Sequence, residues 1–185
     1  MKTIKHLLIL FLSIGLFTAC SDDDDPAPVN EEEVITTMTL SLQAVGGGTP
    51  IVFQSRDADG DGPNAPVVTV SGSLMANTTY GGEIEFLNEL ESPAENITLE
   101  VLEEDDEHQV FYNFTGASGT SLNYNDSDGN GNPIGVNITL ASGDAATGNT
   151  LTVVLKHEPT KPNDGTAIGA GGETDIEATF TYDVN

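Results

Sequence analysis

The chain has 185 residues and a formal net charge of −25, with 30 acidic residues against five Lys and Arg. That balance excludes nucleic-acid binding and adsorption on an anionic surface, both of which need a cationic face. It leaves cations, basic partners or simple solubility. The N-terminus reads as a signal peptide over residues 1–19. Lys2 and Lys5 form its basic start, Leu7 to Phe17 its apolar run, and Thr18 and Ala19 the small residues before cleavage. The apolar run is shorter than the roughly 20 residues needed to span a bilayer. Cys20 is the only cysteine and follows Leu-Phe-Thr-Ala, a lipobox pattern, so the sequence predicts an acylated first residue of the mature chain. Two or three acyl chains on Cys20 anchor stably, where one is marginal. Residues 20–33 read as a lipidated, acidic, Pro-containing tether.

Residues 34–185 are long enough for one domain with its own core. Alternation of period two recurs along them. Met38, Leu40, Leu42 and Ala44 share one face of a first strand. Ile51 with Phe53, Val68 with Val70, and Tyr80 with Ile84 and Phe86 mark three more. Ser92, Pro93 and Glu95 then read as N-cap, N1 and N3 of a capping box, predicting a short acidic helix to about Glu104. A strand is the other reading of that stretch. Strand signals resume at Val110–Phe114, Leu122–Tyr124, Ile134–Leu140, Leu151–Leu155 and Ile176–Val184. The expectation is all-β: an antiparallel β-sandwich of about 8–9 strands with one short acidic helix.

Two loops echo each other. Asp57, Asp59 and Asp61 precede Gly62, and Asp126, Asp128 and Asn130 precede Gly131. Alternate acidic residues before a Gly can turn several oxygens onto one Ca2+ ion. The twelfth position of each loop is Val68 or Asn137 rather than Glu, so neither is an EF-hand. The competing reading is an Asp/Asn/Gly turn held by side-chain-to-backbone bonds. Internal duplication and convergence both explain the echo.

The mature chain would keep only two histidines, His108 and His157. His108 is in phase with Val110, Tyr112 and Phe114, and His157 with Leu151, Val153 and Leu155. Each extends a core-facing row to the end of a strand. Acids stand beside them: Glu104, Asp106 and Glu158 along the chain, with Glu173 after a long Gly/Pro-rich loop that is either functional or mobile. Imidazole with carboxylate suits Zn2+ or another transition metal. The competing reading is a pair of rim histidines capping the core. If successive strands alternate in direction, both histidines, both Asp loops and the start of the first strand fall at one end. No Gly-x-Ser-x-Gly elbow and no phosphate-binding loop occurs, so no enzyme is expected.

Several stretches resemble small Bacteroidota lipoproteins labelled "type 1 periplasmic binding fold superfamily protein". They are residues 56–64 (RDADGDGPN), 91–95 (ESPAE), 106–109 (DEHQ), 128–133 (DGNGNP) and 157–167 (HEPTKPNDGTA). Ser21 with Asp22 to Asp25 likewise resembles the signal that exports such lipoproteins to the cell surface. The fold named in that label is a large two-domain α/β structure, which this length and this lack of βα alternation do not fit. The resemblance implies an outer-membrane location, a lipid anchor and a neighbouring TonB-dependent receptor as partner. The functional expectation is a surface-anchored, non-enzymatic protein that binds a metal ion or a small metal-containing ligand for such a transporter. The alternative is a structural or adhesive module with calcium-stabilised loops.

Overall fold

The computed structural model describes residues 33–60 and 62–185. The signal peptide, Cys20, Asp22 to Asp25 and Asp61 lie outside the described residues. Among the described residues, ten strands and two short helices follow in the order β1 Thr37–Ala44, β2 Ile51–Arg56, β3 Val67–Val70, β4 Thr79–Asn88, β5 Glu95–Asn96, α1 Thr98–Glu103, β6 His108–Thr115, β7 Ser121–Tyr124, β8 Asn137–Ala141, β9 Ala146–His157, α2 Ala167–Ala170 and β10 Glu173–Val184.

The strands form two antiparallel sheets, one ordered β3-β2-β1-β4-β8-β7 with β5 added to β4, the other β10-β9-β6. The period-two rows meet between them. Met38, Leu40, Leu42, Phe53, Ile84, Phe86 and Leu140 come from the first sheet, and Leu151, Leu155 and Phe180 from the second, all fully buried. The Phe53 ring stands edge-on to those of Phe180 and Tyr182, at 5.6 and 5.7 Å between centroids, the favoured arrangement for aromatic pairs. β4 shows why the layers form: buried and exposed residues alternate along it, so its outer face stays in water. Gly82 is required in that strand, because a Cβ there would lie 2.6 Å from Ile138 and 2.8 Å from Leu42.

The all-β sandwich is thus as expected, and two local readings are corrected. The capping box at Ser92-Pro93 starts no helix. Glu95–Asn96 instead pairs with the end of β4, and α1 begins at Thr98 behind Ile97. The pairing wins because it places Ile97 and Val101 in the core and lets the Thr98 hydroxyl accept from the Phe86 amide at 2.8 Å. The β5 strand raises the strand number to ten.

The 158–172 segment, expected to be functional or mobile, folds over the outer face of the smaller sheet. Ala170 packs there on Phe111 and Val154, and Asn163 Nδ2 donates to the buried Gln109 side chain at 2.8 Å. Burial is therefore continuous from His108 to Phe111 rather than alternating. Gly172 ends the segment with φ +72°, where a Cβ would sit 2.3 Å from the His157 carbonyl.

Candidate functional site

The site sits at the sandwich end where β1 begins. The β1–β2 and β1–β4 registers set Thr37 opposite Arg56 and Leu87. In the other sheet His108 opens β6 and His157 closes β9, and the two are direct partners in the ladder. Directly opposed residues of an antiparallel pair share a face and nearly touch. The imidazoles accordingly stack, with centroids 4.6 Å apart and planes 24° apart. Both are buried, His108 at 0% exposure and His157 at 5%.

Glu33, just ahead of β1, turns one carboxylate oxygen toward a nitrogen of each ring. Oε1 is 3.2 Å from His108 Nε2, and Oε2 is 3.8 Å from His157 Nδ1. The root of that segment is fixed by Thr36, whose amide and hydroxyl bond the Leu87 carbonyl while the hydroxyl accepts from the Glu89 amide. His108 Nδ1 faces the Glu104 carbonyl at 3.3 Å. A carbonyl accepts only, so Nδ1 carries a proton, and in the neutral ring Nε2 is then a bare lone pair. In the neutral ring that lone pair confronts a carboxylate oxygen, acceptor against acceptor, and either a proton or a metal ion between them makes the contact favourable. A carbonyl that accepts from the far ring nitrogen in this way is the usual support for a metal-binding histidine.

Asp175 completes the surroundings. The β9–β10 register shifts between Thr174 and Ile176, which makes Asp175 the residue at a β-bulge. Bulges re-aim side chains beside functional sites. Burial, reinforced by the charge of Glu33, pushes the Asp175 carboxyl up to about 7 against the pull of His157. Among the described residues five buried side-chain polar atoms lack a hydrogen-bond partner, and three belong here: Glu33 Oε2, His108 Nε2 and Asp175 Oδ2. Orphaned buried polar atoms are uncommon; three together make this cluster the candidate for a further binding partner.

One ligand atom each from Glu33, His108 and His157 lies within 4.8 Å of the others. Two ligands bonded at about 2.0–2.2 Å to one tetrahedral ion stand roughly 3.3 Å apart. The His108–Glu33 pair is already near that spacing, and the His157–Glu33 pair needs only a small turn to reach it. Two imidazoles and a carboxylate form a set for Zn2+ and its borderline neighbours.

The structure thus brings His108 and His157 together and adds Glu33 and Asp175, which sequence reasoning did not select. Glu104 contributes its carbonyl, not its carboxylate. Glu158 reaches a second group with Glu107 and His157. Glu173 is opposite His157 across β9 and β10 but exposed. Asp106 lines a separate cleft of about 530 Å³ with Asp128, Asn132 and Lys161.

The Asp loops look different. Both are hairpin loops, β2–β3 and β7–β8, near opposite edges of the larger sheet. Asp126 accepts the Gly135 and Asn137 amides, both at 2.7 Å. Asp128 Oδ1 accepts the Asn130 and Asn132 amides at 2.9 and 2.8 Å, and Oδ2 accepts Asn132 Nδ2 at 3.0 Å. Lys161 Nζ lies 3.5 Å from Oδ2 while donating to the Asp105 and His108 carbonyls at 2.6 and 2.7 Å. Burial pushes the Asp128 carboxyl up, but these hydrogen bonds and the ammonium outweigh it and hold it at about 2. Asn130 contributes its backbone to this turn. In the first loop Asp57 accepts the Asp59 amide at 3.2 Å, and Asp59 accepts Asn64 Nδ2 at 2.6 Å. These are turn-forming bonds.

Set beside known protein families, curated proteins and solved structures, the chain matches none.

Proposed function

We propose that this protein is a surface-anchored, non-enzymatic lipoprotein whose sandwich binds a transition-metal ion, or a small ligand carrying one, as accessory to a TonB-dependent outer-membrane transporter. One observation carries the metal reading: the stacked pair His108 and His157 closes on Glu33 with a bare His108 Nε2 and no hydrogen bond to satisfy it. The anchor rests on the lipobox at Cys20, and the transporter on the resemblance of the loop and histidine stretches. Glu33 ends the tether read from the sequence, so an ion it holds would be only 13 residues along the chain from Cys20.

The ion is a soft-to-borderline divalent one, since two imidazoles favour it over Ca2+. Calorimetric titration of the full chain with Zn2+ and Cu2+ tests the proposal. The wild type binds one ion tightly, and the His108→Ala, His157→Ala double variant binds at least about 100-fold more weakly. Equal affinity in the two would overturn it and favour the structural or adhesive alternative.

A further inference from the structure

His157 has a second nitrogen. Its Nδ1 faces Glu33, while Nε2 lies 3.6 Å from Glu107 Oε2. Glu107, His157 and Glu158 each offer a ligand atom, and the three atoms lie within 4.8 Å of one another. The His157 side chain is only 6% exposed, yet its nearest carboxylate contacts, 3.8 and 3.6 Å, are longer than hydrogen bonds. A nine-tenths-buried imidazole thus presents an unpartnered nitrogen to two carboxylates. Glu107 is half-exposed and Glu158 exposed, so this is the side from which water reaches the ring.

The backbone builds the pair. The Glu158 amide bonds the Glu107 carbonyl at 2.6 Å, one step beyond the His108–His157 pair. The residue after a strand histidine ordinarily points to the opposite face. Glu158 instead has φ +49°, a left-handed conformation uncommon for a residue that is not Gly. The kink keeps its carboxylate on the His157 side.

We infer that Glu107, Glu158 and His157 Nε2 form a second, solvent-facing site for the same divalent transition ion, one that captures the ion before the Glu33–His108–His157 site takes it. The inference rests on the metal reading above. Two carboxylates draw a cation from water, and the shared imidazole leads it inward. Transfer exchanges ligands only: bonds to Glu107 and Glu158 break, bonds to Glu33 and His108 form, and no electrons move. A neutral imidazole has one lone pair and one N–H. The ring proton therefore sits on Nδ1 while the outer site is filled and passes through water to Nε2 once the inner one is. The two sites are alternatives for one ion per chain.

Stopped-flow loading of the full chain with Zn2+, followed by competition with a chelating dye, tests this. The Glu107→Gln, Glu158→Gln variant is expected to load about tenfold more slowly, with equilibrium affinity within about twofold of wild type. A Glu83→Gln, Glu85→Gln control removes two exposed charges from β4 and should load at nearly the wild-type rate. His108→Ala should lose tight binding but keep a weak site, which disappears when the two Gln substitutions are added. Loading no slower than the control overturns the capture site. So does a fall in affinity as large as that of His108→Ala, since the two glutamates would then be ligands of the buried site. Full-strength zinc binding by His108→Ala would instead overturn the buried-site reading.

Discussion

The Asp126–Asn132 loop and the cluster around Glu33 lie at one end of the sandwich and are joined through Lys161, which holds both the Asp128 carboxylate and the His108 carbonyl. Asp128 in the loop and the two histidines in the cluster are buried, and both places are rich in acceptors. In the loop each carboxylate oxygen accepts from an amide, and an ammonium stands beside one of them. In the cluster a carboxylate faces a bare imidazole nitrogen, and three polar atoms have no partner. Similar groups at similar burial therefore do different work. A saturated set stabilises its own turn; an unsaturated set has room for a cation.

The largest effect should come from supplying the cation. Saturating Zn2+ is expected to raise the melting temperature of the full chain strongly, because binding to the folded state alone adds roughly 2.7 kcal/mol at a hundred times the dissociation constant. Ca2+ should raise it far less, since the loop oxygens already have partners. A larger response to Ca2+ than to Zn2+, measured by thermal shift against a chelator control, would reverse the contrast drawn between the two regions.

Next in size is the loss of the built-in cation. Lys161→Ala leaves the Asp128 carboxylate and two carbonyls without their ammonium. Breaking a buried pair from one side destabilises by about 3 kcal/mol. Urea unfolding should report a loss of that order, carrying reduced zinc affinity with it because the His108 backbone loses its clamp. Unchanged stability would mean that Lys161 is incidental.

Much of this architecture was legible beforehand. Period-two rows such as Met38–Leu42 and Leu151–Leu155 can only be strands with one buried face, and His108 and His157 fall in phase with such rows. What could not be read was that β6 pairs with β9, which sets the two rings side by side; ladder partners distant in sequence leave no local trace. Glu33 looked like one more acid in an acidic tether, and its role exists only because Thr36 pins its segment to β4. Asp175 needed a bulge, which shifts the phase of β10 without changing its composition. The capping box at Ser92 misled because a local helix-start signal lost to the burial of Ile97 on β4.

A smaller effect concerns acid. The Asp128 carboxyl, held at about 2, lies below the usual aspartate value of 3.8. It therefore contributes stability that is fully present above about pH 4 and is lost as pH falls toward 2. Asp128→Asn should flatten the stability curve across that window, and acid unfolding at fixed salt reads it directly. An unchanged slope would mean that the loop is not saturated in the way described. Smaller still, Asp175→Asn removes a half-buried charge facing Glu33. A modest rise in the melting temperature of the metal-free chain near neutral pH is expected, with a smaller loss of zinc affinity than Glu33→Gln causes. A drop in melting temperature would show that the carboxylate is paired after all.

X-ray absorption of the zinc-loaded full chain tests the central claim most directly. Two imidazole nitrogens at about 2.0–2.1 Å with carboxylate oxygen filling the shell, falling to none in the His108→Ala, His157→Ala variant, is the result predicted. An all-oxygen shell, or a spectrum that the two substitutions leave unchanged, would contradict it.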